Sequence, residues 1–289
     1  MTHLTPAQHR DSEQWRSFRK RRDTSLAVGH GWLTLTSLQW LPTDPSALDL
    51  VPGQWSASEP GSAPGATLTA RAEDGLTLVH TGEPVDGTLK LELADGASKN
   101  WVRYQDTVVE LAVRGNRYVV RTRDNHAPTL TGFDGVPVFE YDPGAVIDGS
   151  YTPYPTPRAI PIGTAQPEVT DVIHATGTVS FSLRGRFHTL AAEQQHDGSL
   201  RVAFHDETNE RDTAQWRFLV TDHVSPTGQV TLDFNRSLNY PSAFTPFGTC
   251  PRPVAGNHIE APVEAGERQP VGLARPPSSR PVPGATPLR

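Results

Sequence analysis

Val108-Val109-Glu110-Leu111-Ala112-Val113-Arg114-Gly115, turning into Arg117-Tyr118-Val119-Val120-Arg121, is the stretch whose reading decides the fold class. β-Branched and apolar residues run up to an Arg-Gly turn and resume directly after it, which is the pattern of an antiparallel hairpin. Thr178-Val179-Ser180-Phe181-Ser182-Leu183-Arg184-Gly185, turning into Arg186-Phe187-His188-Thr189-Leu190, has the same form. Other short runs are separated by Asp74-Gly75, Asp86-Gly87, Asp95-Gly96, Asp134-Gly135 and Asp197-Gly198. This spacing lacks any βαβ rhythm. It predicts a mainly β chain of antiparallel hairpins forming barrel- or sandwich-like subdomains.

Ahead of the β region, Thr5-Pro6-Ala7-Gln8 reads as a helix start, with Thr5 as N-cap, Pro6 at the first helical position and Gln8 at the capping-box position. An amphipathic helix over residues 6–23 follows, with Trp15 and Phe18 on one face. Its arginines and Lys20 read as a solvated basic face. Residues 31–41, Gly31-Trp32-Leu33-Thr34-Leu35-Thr36-Ser37-Leu38-Gln39-Trp40-Leu41, are too apolar to be exposed. They fit a buried strand or a strand entering a helical turn.

The organisation read from these signals is a helix and lead-in over residues 1–30 and a first β subdomain over 31–150. A Pro-rich crossover over 151–169 leads to a second β subdomain over 170–268. Residues 269–289, with six prolines from Pro270 onward and almost no large apolar side chains, are expected to be a disordered tail.

A net charge of −6 gives no electrostatic case for a nucleic-acid partner. One cysteine excludes an intramolecular disulfide framework and any multi-cysteine zinc site. No stretch has the apolar length of a membrane span or a signal peptide, so no membrane partner and a cytoplasmic location are expected. Walker, Gly-x-Gly-x-x-Gly, Gly-x-Ser-x-Gly and His-Glu-x-x-His motifs are absent, and no cofactor is indicated. His205-Asp206-Glu207 is the densest group of metal-ligand types, but alternation lets only His205 and Glu207 share a face, and no metal site is assigned. The oligomeric state is not readable.

The stretch that gathers chemistry is Leu232-Asp233-Phe234-Asn235-Arg236-Ser237-Leu238-Asn239-Tyr240-Pro241, running on to Thr249-Cys250-Pro251. A carboxylate and an amide where a strand opens into a loop hold a polar ligand or stitch the loop down. If the strands bearing Arg217 and Asp233 pair as a hairpin, Arg217 approaches Asp233 or Asp206. A guanidinium fork suits carboxylates and phosphates. Cys250 would be a nucleophile only beside a group that lowers its pKa, and a small buried thiol is the plainer reading.

The C-terminal third carries a resemblance. Phe204-His205-Asp206-Glu207-Thr208, Trp216-Arg217-Phe218-Leu219, Asp233-Phe234-Asn235-Arg236, Asn239-Tyr240-Pro241, Ala243-Phe244, Thr249-Cys250-Pro251, Asn257 and Ala265-Gly266-Glu267 occur in order. This string resembles the domain of unknown function 1684 family, with Gly31–Leu35, Trp40-Leu41 and the hairpin from Arg114 to Asp124 as earlier pieces, so that it covers nearly all the chain up to about residue 268. The family implies no general function. Ser242 stands where the family usually has a second cysteine, and Ala214, Gln215 and Trp216 replace its Thr-Tyr.

Three functional readings follow. In the first, a small polar or anionic molecule binds among Arg217, Asp233, Asn235, Asn239, Asn257 and Glu267. In the second, a hydrolase uses Asp206 or Asp233 as base and Arg217 or Asn235 to stabilise developing negative charge, with Cys250 as a further catalytic candidate. In the third, all these groups are structural.

Overall fold

The structure, a computed structural model, describes residues 6–58 and 65–270. Thr5 and residues 271–289 of the expected tail lie outside the described residues. Among the described residues strand is the dominant structure and helix a minor part, so the mainly β expectation holds, but the sheets do not close into barrels.

The N-terminal helix spans Pro6–Leu26, three residues beyond the expected end. Leu26 extends it because that side chain enters a small apolar cluster with Leu33, Val136 and Phe244. The basic face is not simply solvated: Arg19 and Arg22 turn inward onto Glu267. Residues 31–41 become a single 3-10 turn, Trp32–Thr34, followed by the strand Leu35–Trp40.

Leu35–Trp40, Arg117–Asp124, Thr107–Arg114, Ser98–Tyr104 and Leu76–Leu78 pair in that order as a five-stranded sheet. A four-stranded sheet of Ser46–Leu48, Val51–Ala57, Ala66–Ala70 and Gly87–Leu91 shares its core with the first, sandwich-fashion. Trp55 and Trp101 meet edge to face in that core, ring centroids 5.9 Å apart. The central strand is buried on both faces. Val109, Leu111 and Val113 enter the apolar core, whereas Glu110 alternates to the other side, where it pairs with Arg123 and Arg121.

The second unit is an eight-stranded sheet ordered Gln229–Asp233, Val146–Gly163, Thr170–Leu183, Arg186–Gln194, Ser199–Asp206, Arg217–His223 and Leu238–Asn239, with His258–Ile259 added parallel to Ser199–Asp206. Both hairpins read from sequence form with two-residue loops. Gly115 and Asn116 have φ of 57° and 59°, and Arg184 and Gly185 of 51° and 77°, the left-handed pairs that suit the strands' twist.

The Pro-rich stretch is not a crossover. Val146–Gly163 is an 18-residue strand, second from one edge of the sheet, and its Gln229–Asp233 neighbour on that edge covers only residues 146–150. Beyond there one edge is unpaired, and the ladder with Thr170–Leu183 lapses between Pro153 and Arg158. The missing N–H groups of Pro153, Pro155 and Pro157 are thereby tolerated. At this irregularity Gly177 packs with no space for a side chain: a Cβ would strike the Thr152 carbonyl and lie 2.6 Å from the Tyr151 ring. Gly177→Ala is expected to destabilise the fold by about 1–3 kcal/mol. An unchanged midpoint in urea unfolding would show that the strand relaxes around the methyl group.

Candidate functional site

Alternation along the strands decides where each chemical group sits. In Ser199–Asp206, Leu200, Val202, Phe204 and Asp206 are buried, while Arg201, Ala203 and His205 are half-buried on the opposite face. In Arg217–His223, Arg217 and Leu219 point inward and Phe218 points out. Asp206 and Arg217 therefore belong to the interior. Their carboxylate and guanidinium are 2.9 Å apart and inaccessible to solvent.

Arg217 Nη1 donates to the carbonyls of Ala265 and Glu267, and Nη2 to that of Val263. Asp206 accepts from the backbone N–H groups of Thr208 and Val263 and from the Thr208 hydroxyl. Burial lowers the Arg217 pKa, and the Asp206 charge opposes that shift. This pair pins the segment 263–267 to the sheet.

The expected hairpin between the Arg217 and Asp233 strands does not form. Arg217–His223 pairs with Ser199–Asp206 and Leu238–Asn239, whereas Gln229–Asp233 pairs with Val146–Ser150. Asp233 ends its strand by accepting from the Asn235 N–H and side-chain amide, and it faces Arg236 at 3.1 Å. Burial pushes its carboxyl up, against the pull of those donors. Asn235 clasps the backbone of Asp142 from both ends of its amide. Glu267 is held by Arg19 and Arg22 at 2.7 and 3.1 Å and accepts the Asn239 N–H, so it fastens the N-terminal helix rather than meeting Arg217 or Arg236 through its carboxylate. Arg217, Asp233, Asn235 and Glu267 thus do not form the expected pocket; each is engaged by protein groups.

The open space lies on the other face. A cavity of about 700 Å³ is bounded by Trp32, Gly96 and Arg114 on one side and by the eight-stranded sheet and the loop 239–257 on the other. Asn239, Cys250 and Asn257 reach its lining; Asp206 and Asp233 do not. Asn257 fills the gap where Arg186–Gln194 and Ser199–Asp206 separate, bonding both ends of its amide to Ala191 and donating to the Ala203 carbonyl. Cys250 is fixed by its carbonyl, which accepts from Ala165. Burial raises the thiol's pKa, with Ser242 hydrogen bonds opposing. The thiol is therefore held neutral, and Ser242 is its neighbour. Arg121 lies just behind, donating to Thr249 at 2.8 Å, its pKa lowered by burial to about 10.

The residues that dominate the lining were missed in the sequence. Arg201 lies flat over Phe218 and Tyr240, its guanidinium carbon 4.3 and 5.2 Å from their ring centres. Arg252 lies over Trp216 at 4.9 Å and, among the described residues, gives only Nε to a protein acceptor, the Thr164 carbonyl. Glu193, raised in pKa by burial against the opposing charge of Arg201, and Asp171 share the lining. The alternation of Ser199–Asp206 was the available signal for Arg201; nothing local marks Arg252 or Glu193.

Residues 131–268 match the family described as Protein of unknown function (DUF1684). The match spans 138 of the chain's 289 residues. The match leaves outside it Gly31–Leu41 and the Arg114–Asp124 hairpin, which the sequence string had included. A solved structure, the solution NMR structure of the uncharacterized protein from gene locus rrnAC0354 of Haloarcula marismortui, is similar at 27% identity over 48% of this chain and 78% of that chain, with a TM-score of 0.40. No curated protein matches. The DUF1684 region supplies Glu193, Arg201, Tyr240, Cys250 and Arg252 to the cavity, and the preceding residues supply Arg22, Trp32 and Arg114.

Breaking the buried pair is expected to cost about 3–5 kcal/mol in Asp206→Asn or Arg217→Met, because one charge is left uncompensated. The double variant should be less damaging than the sum of the two. Additive losses in urea unfolding would mean that the two groups act independently.

Proposed function

We propose that this chain binds a small organic anion, a carboxylate or phosphate monoester, in the cavity beside Arg201 and Arg252. One observation carries the reading: among the described residues neither guanidinium has a carboxylate within ion-pairing distance, although both line an open cavity in a protein of net charge −6. Guanidiniums stacked on aromatic rings lose little freedom when they bind, and they match oxyanions bidentately. Arg114 is engaged by two carbonyls and Ser98, and Arg22 by Glu267 and the Asn239 carbonyl, so these two contribute field more than contacts. The neutral hydroxyl of Tyr240, whose pKa burial raises, is a further donor. The hydrolase reading finds no support in Asp206 or Asp233, which lie off the cavity.

Titration calorimetry with ethyl phosphate and 3-phenylpropionate tests this. Arg201→Gln and Arg252→Gln should each weaken binding roughly ten- to hundredfold, the loss of a charged hydrogen bond of about 1.5–3 kcal/mol, with unaltered melting temperatures. Wild-type levels of binding in both variants, or no binding by the native protein, would sink the proposal.

The pH dependence follows from Glu193. Its carboxyl is raised, so it becomes neutral at a higher pH than an ordinary glutamate, and the cavity gains positive charge as pH falls through that range. Binding of ethanesulfonate, which stays ionised throughout, should strengthen on that descent, and Glu193→Gln should flatten the profile.

A further inference from the structure

We infer that the ligand is a zwitterion, an oxyanion that also carries an ammonium group, such as an amino acid or an aminoalkyl phosphate. The inference rests on the anion-binding reading above and adds a second recognition element to the same cavity. Glu193 is the direct cross-strand partner of Arg201, and both line the space. Such neighbours ordinarily pair, yet among the described residues no ion pair joins them. The Arg201 guanidinium is instead laid over Phe218 and Tyr240. Asp171, also on the lining, uses Oδ1 for the N–H of Val172 and has no cationic partner among the described residues.

An independent observation points the same way. Asn239 is wholly buried, belongs to the cavity wall, and leaves Oδ1 without a donor. Its Nδ2 donates to the Arg268 carbonyl at 2.8 Å, which fixes the amide's orientation and makes the unpaired atom the acceptor. Behind the two carboxylates of the lining there is thus a buried acceptor without a donor, and beside them lie two guanidiniums without a carboxylate partner among the described residues. A plain anion would satisfy only the donors and would face two carboxylates. An ammonium brings three donors and a positive charge, while the oxyanion at its other end meets the arginines. The groups around Glu193 are Arg201 on its neighbouring strand, His174 and Asp171 on Thr170–Leu183, and Tyr240 from the loop. Burial pushes its carboxyl up, and Asp171 adds to that, against the charge of Arg201 and the His174 backbone N–H that it accepts.

Two ligand pairs that differ only in the ammonium group separate this from simple anion binding. Phosphoethanolamine is compared with ethyl phosphate, and taurine with ethanesulfonate, by calorimetry on the full chain at pH 7.5. The ammonium member of each pair should bind at least tenfold tighter. Glu193→Gln or Asp171→Asn, checked for an unchanged melting temperature, should bring that ratio towards one. In the native protein the ratio should fall as pH is lowered through the raised Glu193 range, while ethanesulfonate alone strengthens. A ratio of one or less with ethyl phosphate still bound overturns the zwitterion and leaves the anion reading standing. A ratio unaltered in both variants also overturns it. Failure of all four compounds to bind overturns both.

Discussion

The charged fork of Arg217, closed away from water against Asp206, is the constraint on which the second half of the molecule depends. A lone buried guanidinium would be prohibitive, and here three carbonyls of one segment are recruited to surround it. Val263, Ala265 and Glu267 present alternate carbonyls to one side chain, so the segment takes a fixed course across the sheet. The Glu267 carboxylate is then carried to the N-terminal helix, where Arg19 and Arg22 meet it. Helix, sheet and C-terminal segment are joined through two ion-pair centres separated by the backbone of a single residue.

The same arrangement explains why the cavity lies where it does. With the inward face of Ser199–Asp206 and Arg217–His223 committed to Phe204, Asp206, Arg217 and Leu219, the other face carries Arg201, Ala203 and Phe218. The loop that follows Leu238–Asn239 folds over this face and brings Tyr240, Cys250 and Arg252 to it. The remaining wall comes from Trp32 and Arg114, whose backbone neighbourhood is held by Arg123 bonds to the carbonyls of His30 and Gly31 and by Arg114 bonds to Ala97. The site thus needs both β units, although only residues 131–268 match the family.

Within the cavity, aromatic surfaces and guanidiniums are combined so that charge is presented without being neutralised. Stacking over Phe218 and Trp216 lets the arginines bury their flat faces while their edges stay able to donate. Cys250 stands among these groups as a neutral thiol, since desolvation outweighs the nearby positive charge. With Ser242 beside it, the chain lacks the second thiol that a disulfide at this place would require.

The linear chain by itself determined the β class, the two positive-φ hairpin turns and the start of the N-terminal helix. These follow from local preferences: β-branched runs, a glycine at a left-handed position in each turn beside Asn116 or Arg184, and proline at a helix's first turn. It also marked Asp206, Arg217, Asp233, Asn235 and Glu267 as positions where chemistry gathers. What only the tertiary structure decided was which face of each strand those residues occupy. A period of two names two faces without saying which is inside. Arg217 fell inward because carbonyls from fifty residues downstream could surround it, and Arg201 fell outward onto the cavity. Prolines that looked like a linker became a strand because one edge of that strand has no neighbour to require their missing N–H groups.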